Sequence, residues 1–172
     1  MLPGGRITIV HAQTLSGIHS PREHVSIRCV DGGYGSLLLG SRFSNVYGKI
    51  VAFGGAFIIH DVAIGNPGVL GNADVRYFRR VFGDFSTLEG SERDPLWHVQ
   101  KAVKENRMSP VLLLCGTNDL LFHSNERMCK ELHKMGVPAK LIPIVNGDHT
   151  WICWNSCMEQ TFTWLVDDSS LM

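Results

Sequence analysis

Apolar residues come in short blocks separated by polar and glycine-rich stretches, and the blocks alternate between strand-like and helix-like periods. Ile7-Thr8-Ile9-Val10, within residues 6–11, reads as a first strand, and residues 24–30 read as a second. A glycine-rich turn is expected over residues 31–35, followed by an apolar helix near 33–42 that carries Leu37-Leu38-Leu39. Residues 49–53 form a third strand candidate, ended by Gly54-Gly55. Residues 64–74 carry Gly65, Pro67, Gly68 and Gly71 and read as a loop. Residues 75–82 suit a short helix, and 85–94 are polar and turn-rich. Residues 95–106 suit a helix with Leu96, Val99 and Val103 on one face. Asp94 is its expected N-cap, with Pro95 in the first turn.

Val111-Leu112-Leu113-Leu114-Cys115 is continuously apolar, as a central parallel strand covered on both faces should be. Residues 124–135 read as a helix closed by Gly136 and Pro138. Residues 139–145 are the next strand, and 151–165 the last helix. Alternation of this kind predicts an α/β fold with a mostly parallel sheet. Residues 21–166 are expected to form the domain, with 1–20 unassigned and 167–172 a tail.

Composition narrows the function classes. The chain has 172 residues, 44% of them hydrophobic, which suits one globular domain. Sixteen basic residues balance sixteen acidic ones, so no phosphate-neutralising stripe is present and nucleic acid is not an expected partner. No unbroken apolar run reaches membrane-spanning length, and Ile7–Val10 is too short for a signal-peptide core. The five cysteines are an odd number in apolar surroundings, which suits free thiols in a reducing, cytoplasmic compartment.

Three loops that follow strand candidates carry Asp31, Asp119 and His149. Ligands of open α/β sheets bind outside the carboxyl ends of the strands, so these side chains can meet. An acid and then a histidine after successive strands is the chain order of a nucleophile–acid–base triad. The histidine would take the nucleophile's proton, and the carboxylate would orient the imidazole and stabilise its charged form.

At these residues the sequence resembles the esterase D or tributyrin-esterase-like branch of the α/β-hydrolases, over the C-terminal part of that fold. The resemblance rests on Arg22-Glu23-His24, Gly32-Gly33-Tyr34-Gly35, the stretch from Tyr77 to Asp84, and Asp94-Pro95-Leu96. It continues through Cys115-Gly116-Thr117-Asn118-Asp119 and the stretch from Gly147 to Trp154. It implies a partial α/β-hydrolase fold of about four parallel strands with flanking helices. It also implies a carboxylic-ester hydrolase acting on short-chain acyl esters or S-formylglutathione-type substrates, with Asp119 as acid and His149 as base. Tyr34 and Trp151 are the expected substrate contacts, and neither a cofactor nor a metal is expected.

The pattern departs at the nucleophile. The family turn reads Gly-Leu-Ser-Met-Gly-Gly-Tyr-Gly, whereas this chain reads Cys29-Val30-Asp31-Gly32-Gly33-Tyr34-Gly35, one residue shorter and without serine. Asp31 falls at the nucleophile position when the strands are aligned, Val30 when the glycines are. Asp31 is either a carboxylate nucleophile or a turn aspartate favoured before Gly-Gly. Cys29 and Ser36 are minor candidates, and His60 a further substrate contact. Cys153, Cys157 and His149 lack an evident fourth metal ligand. The oxyanion loop of the family is not recognised in residues 1–20, so esterase activity is expected to be weak or absent. The alternatives are a non-catalytic module that dimerises or binds a partner through an exposed strand edge, and a fragment of a longer esterase.

Overall fold

The computed structural model describes residues 24–29, 31–65 and 75–166. The predicted strand at 6–11, most of the 64–74 loop and the 167–172 tail lie outside the described residues.

Four parallel strands form one sheet: β1 (His24–Cys29), β2 (Tyr47–Phe53), β3 (Val111–Gly116) and β4 (Ala139–Ile144), in the order β1-β2-β3-β4. Helix α1 (Asp31–Arg42) connects β1 to β2. The β2–β3 crossover holds α2 (Ile59–Ala63), α3 (Val75–Phe82), a 3₁₀ turn (Phe85–Thr87) and α4 (Pro95–Lys104). Helix α5 (Phe122–Lys134) joins β3 to β4, and α6 (Trp151–Ser156) and α7 (Met158–Val166) follow β4.

Period-two alternation divides the strand residues between two cores. Ile50, Ala52, Val111 and Leu113 pack with Leu37, Val99, Met128 and Leu132 beneath α1, α4 and α5. Val51, Phe53, Leu112 and Leu114 pack on the other face with Trp154 and Cys157. All six residues of β3 are buried, as its apolar run predicts. Each large aliphatic side chain buried this way contributes about 1.5–3 kcal/mol. Asp94 caps α4 as expected: its Oδ1 accepts from the Leu96 N–H at 2.9 Å and its Oδ2 from the Gly90 N–H at 2.9 Å.

Two expectations are corrected, at residues 31–35 and in the last helix, and a further helix stands at 59–63. The glycines at 31–35 do not form a turn but the opening of α1. A Cβ at Gly33 would lie 2.7 Å from the Gly55 Cα and 2.8 Å from the Phe53 carbonyl oxygen, so the glycine serves close packing of the helix on β2. Residues 59–63 are helical because Ile58, Ile59 and Val62 bury against Phe78 and Leu88. The Arg127 guanidinium grips the buried Asp61 on that helix. Finally, the last helix is broken at Cys157, which has φ −108° and ψ 7°. Met158, Trp164 and Leu165 still pack on the same core as Trp154 beyond the break. Lys49 fastens the end of α7, donating to the Trp164 and Leu165 carbonyls at 3.1 and 3.0 Å, where a cation also suits the helix dipole. Among the described residues, no helix is long and apolar enough to cross a membrane.

Candidate active site

The loops leaving β3 and β4 are zipped together by backbone bonds. The Thr117 N–H donates to the Ile144 carbonyl at 3.0 Å, and the Asn118 N–H to the Gly147 carbonyl at 2.8 Å. The Asn146 N–H donates to Thr117 Oγ1 at 2.9 Å. Asn146 takes φ 58°, a left-handed turn that asparagine tolerates. Gly116 and Gly147 touch backbone to backbone, and a Cβ on Gly116 would overlap the Gly147 carbonyl.

This contact brings Asp119 and His149 together. The Asp119 side chain is 1% exposed and that of His149 35%. His149 Nδ1 lies 2.6 Å from Asp119 Oδ2, while Asp119 Oδ1 accepts from the Leu121 N–H at 2.8 Å. Burial pushes the Asp119 carboxyl up. The His149 hydrogen bond, the Leu121 N–H, the charge of protonated His149 and the Cys115 thiol together outweigh it and hold the group below the usual carboxylate range. An ionised Asp119 makes Nδ1 the protonated nitrogen of neutral His149, so Nε2 becomes the basic atom. Burial pushes the Cys115 and Cys153 thiols up, aided by the Asp119 charge.

Gly54, at the end of β2, lies under the pair with φ +50°. A Cβ there would stand 3.3 Å from both Asp119 Oδ2 and His149 Cε1. Asn125 Nδ2 braces the adjoining turn by donating to the Gly55 carbonyl at 2.9 Å. The sequence reading did not single out Gly54, Cys115 or Asn125. The Gly54-Gly55 pair ending a strand was the one available signal.

The other predicted residues are distributed as follows. Asp31 opens α1 beyond the carboxyl end of β1, at the same end of the sheet as the pair. The Tyr34 hydroxyl donates to the Arg93 carbonyl, and its ring meets Phe82 edge-on at 6.0 Å. Burial and then the Asp94 charge push that hydroxyl up to about 12, opposed by Arg93. Tyr34 therefore commits its polar atom to the fold. Trp151 is 64% exposed beside the His149 loop, and its ring lies 5.1 Å from that of Trp154. His60 Nδ1 lies 2.6 Å from Glu89 Oε1. Ser36 is fully buried in α1, and the Cys157 thiol donates to the Trp154 carbonyl at 3.1 Å. Among the described residues, no group of three or more His, Cys, Asp or Glu side chains is placed to hold a metal ion. A separate cavity of about 270 Å³, lined by Phe57, Leu96, Arg127 and Met128 among others, includes neither Asp119 nor His149.

Similarity to solved structures defines the architecture. S-formylglutathione hydrolase FrmB from Staphylococcus aureus superposes with a TM-score of 0.70 at 23% identity, over 89% of this chain and 58% of that one. The S. aureus fluorophosphonate-binding serine hydrolase FphF gives 0.72 at 22% identity, over 90% and 58%. The fold is that of the α/β-hydrolases. No protein-family model matches the chain. In sequence, this α/β-hydrolase-fold chain is similar to an acetyl esterase from Caldicellulosiruptor saccharolyticus. The two are 34% identical over 137 residues, which is 78% of this chain and 51% of that protein. The chain thus spans about half the length of the curated relative it matches. The structural similarity is one of fold, and the sequence similarity is to an esterase.

Two outcomes follow from this geometry. Gly116→Ala should push the two loops apart and remove the downfield Nδ1–H proton resonance of His149, read by NMR on the folded variant. Stability should also fall in acid. Folded Asp119 holds its proton less tightly than the unfolded chain does, so its contribution is complete above the ordinary value of 3.8 and is lost as pH falls from there through the folded value. Urea melts as a function of pH should show this loss, and Asp119→Asn should remove that part of the slope.

Proposed function

We propose that the chain is the acid- and base-bearing part of a carboxylic-ester hydrolase of the esterase D type. The observation that carries this reading is the 2.6 Å contact between His149 Nδ1 and Asp119 Oδ2 at the carboxyl end of a parallel sheet. In this reading His149 Nε2 accepts a proton from the attacking group, and Asp119 stabilises the resulting imidazolium. Short-chain acyl esters or S-formylglutathione-type thioesters are the substrate class, and Trp151 contributes an apolar wall. Tyr34 bears on substrate only through the shape of the site, because its hydroxyl is bound to Arg93.

The start of α1 carries Asp31 at the serine position of the family pattern when the strands are aligned, and Val30 falls there when the glycines are; neither is serine. Loss of a triad serine costs on the order of 10⁶ in kcat. The chain by itself is therefore a weak or inactive esterase. Hydrolysis of p-nitrophenyl acetate should lie close to the buffer rate. Any excess should vanish in His149→Ala and fall in Asp119→Asn, whereas an excess that survives His149→Ala overturns the reading.

A second reading is supported by the position of β1, which among the described residues pairs with β2 alone. An open strand edge pairs with another chain unless it is covered, so a non-catalytic module that dimerises through β1 is the alternative. Light scattering across micromolar concentrations should then give a dimer, and a concentration-independent monomer excludes it.

A further inference from the structure

We infer that Trp154 is a positioning residue for His149, fixing the plane of its imidazole ring. The inference rests on the reading of His149 as the base. Trp154 is 4% exposed and sits in the core with Val51, Phe53, Leu112, Leu114 and Cys157. Its ring centroid lies 5.1 Å from that of His149, with the planes at 87°. That is the edge-to-face arrangement favoured by aromatic quadrupoles.

The bond from Nδ1 to Asp119 Oδ2 sets the direction of one edge of the imidazole, and a ring standing edge-to-face against it bears on its plane. A base must also hold its other nitrogen at one place, because proton transfer requires a contact of about 2.6–3.2 Å. The orthogonal ring of Trp154 restricts tilting of that plane. Gly54 leaves the imidazole its place, since a Cβ there would stand 3.3 Å from His149 Cε1. A hydrogen bond and an aromatic wall thus both bear on the ring.

Trp154 is itself held hard. Helix α6 is capped by Thr150, the residue after His149, whose side chain accepts from the Cys153 N–H at 3.4 Å. The Trp154 N–H donates to the Thr150 carbonyl at 3.1 Å, which ties the wall to the loop that carries the base. The Trp151 ring packs on Trp154 at 5.1 Å and 83°. The buried indole Nε1 has no hydrogen-bond partner, so the ring acts here through its shape and not through its donor.

The test uses NMR of the full chain with ¹⁵N-labelled histidine and needs no turnover. The His149 Nδ1–H resonance is assigned by its loss in His149→Ala. Trp154→Met, which fills the core without a ring, should speed solvent exchange of that proton by about 2- to 10-fold, the weight of one aromatic pair. Trp154→Phe should restore the slow rate. Trp164→Leu, in the same cluster but with its ring contact to Lys49, should leave the rate unchanged. An unchanged rate in folded Trp154→Met, or an equal rise in Trp164→Leu, overturns the inference. Should Trp154→Met fail to fold, the unsubstituted chain decides: absence of proton contacts between the Trp154 and His149 rings also overturns it. Failure of the esterase assay would leave these signals untouched, so the two readings fail separately.

Discussion

Two glycines, Gly116 and Gly147, meet backbone to backbone where the loops after β3 and β4 cross. Parallel strands stand about 4.7–4.9 Å apart, and a side chain on Gly116 would hold the following loops farther off. Without a Cβ on Gly116, the Asn118 N–H can reach the Gly147 carbonyl. Asp119 and His149 are 30 residues apart in the chain and hydrogen-bonded in space. The contact between Asp119 and His149 is thus a consequence of strand order, strand spacing and the missing side chain of Gly116.

The pair has an electrostatic cost that the fold must offset. A buried carboxylate is penalised by lost hydration, and that penalty is the largest single influence on Asp119. It is countered by a backbone N–H, an imidazole and a thiol, each placed by an element that the core already fixes. Leu121 leads into α5, Cys115 lies one residue before the end of β3, and His149 precedes the capped start of α6. The same burial that makes β3 a good strand therefore makes Asp119 a well-defined acid. His149, about one-third exposed, remains open to proton exchange.

The start of α1 is the place where local pattern and function part. Gly33 permits a tight approach of the helix to Phe53 and Gly55. Yet the residue that opens the helix is Asp31, not serine.

Much of the architecture was legible in the sequence, because strand and helix periods and helix caps are local signals. The apolar run of β3, the helix at 75–82 and the Asp94 cap all follow from residues within a few positions of one another. The order of Asp119 and His149 after successive strands was legible for the same reason. The last helix reads as one element because its apolar spacing continues through Cys157, where the structure breaks it while both parts pack on the same core. The short helix at 59–63 forms on contacts with Phe78, Leu88 and Arg127, each far away in the chain. Gly54 beneath the pair, Cys115 against its carboxylate and the Trp154 wall acquire their roles through such contacts too. The sequence by itself determined the α/β alternation, the candidate acid and base, and the absence of a serine in the first turn. The tertiary structure alone decided that acid and base meet, what surrounds them and how the imidazole is held, because these depend on distances between elements that no local pattern encodes.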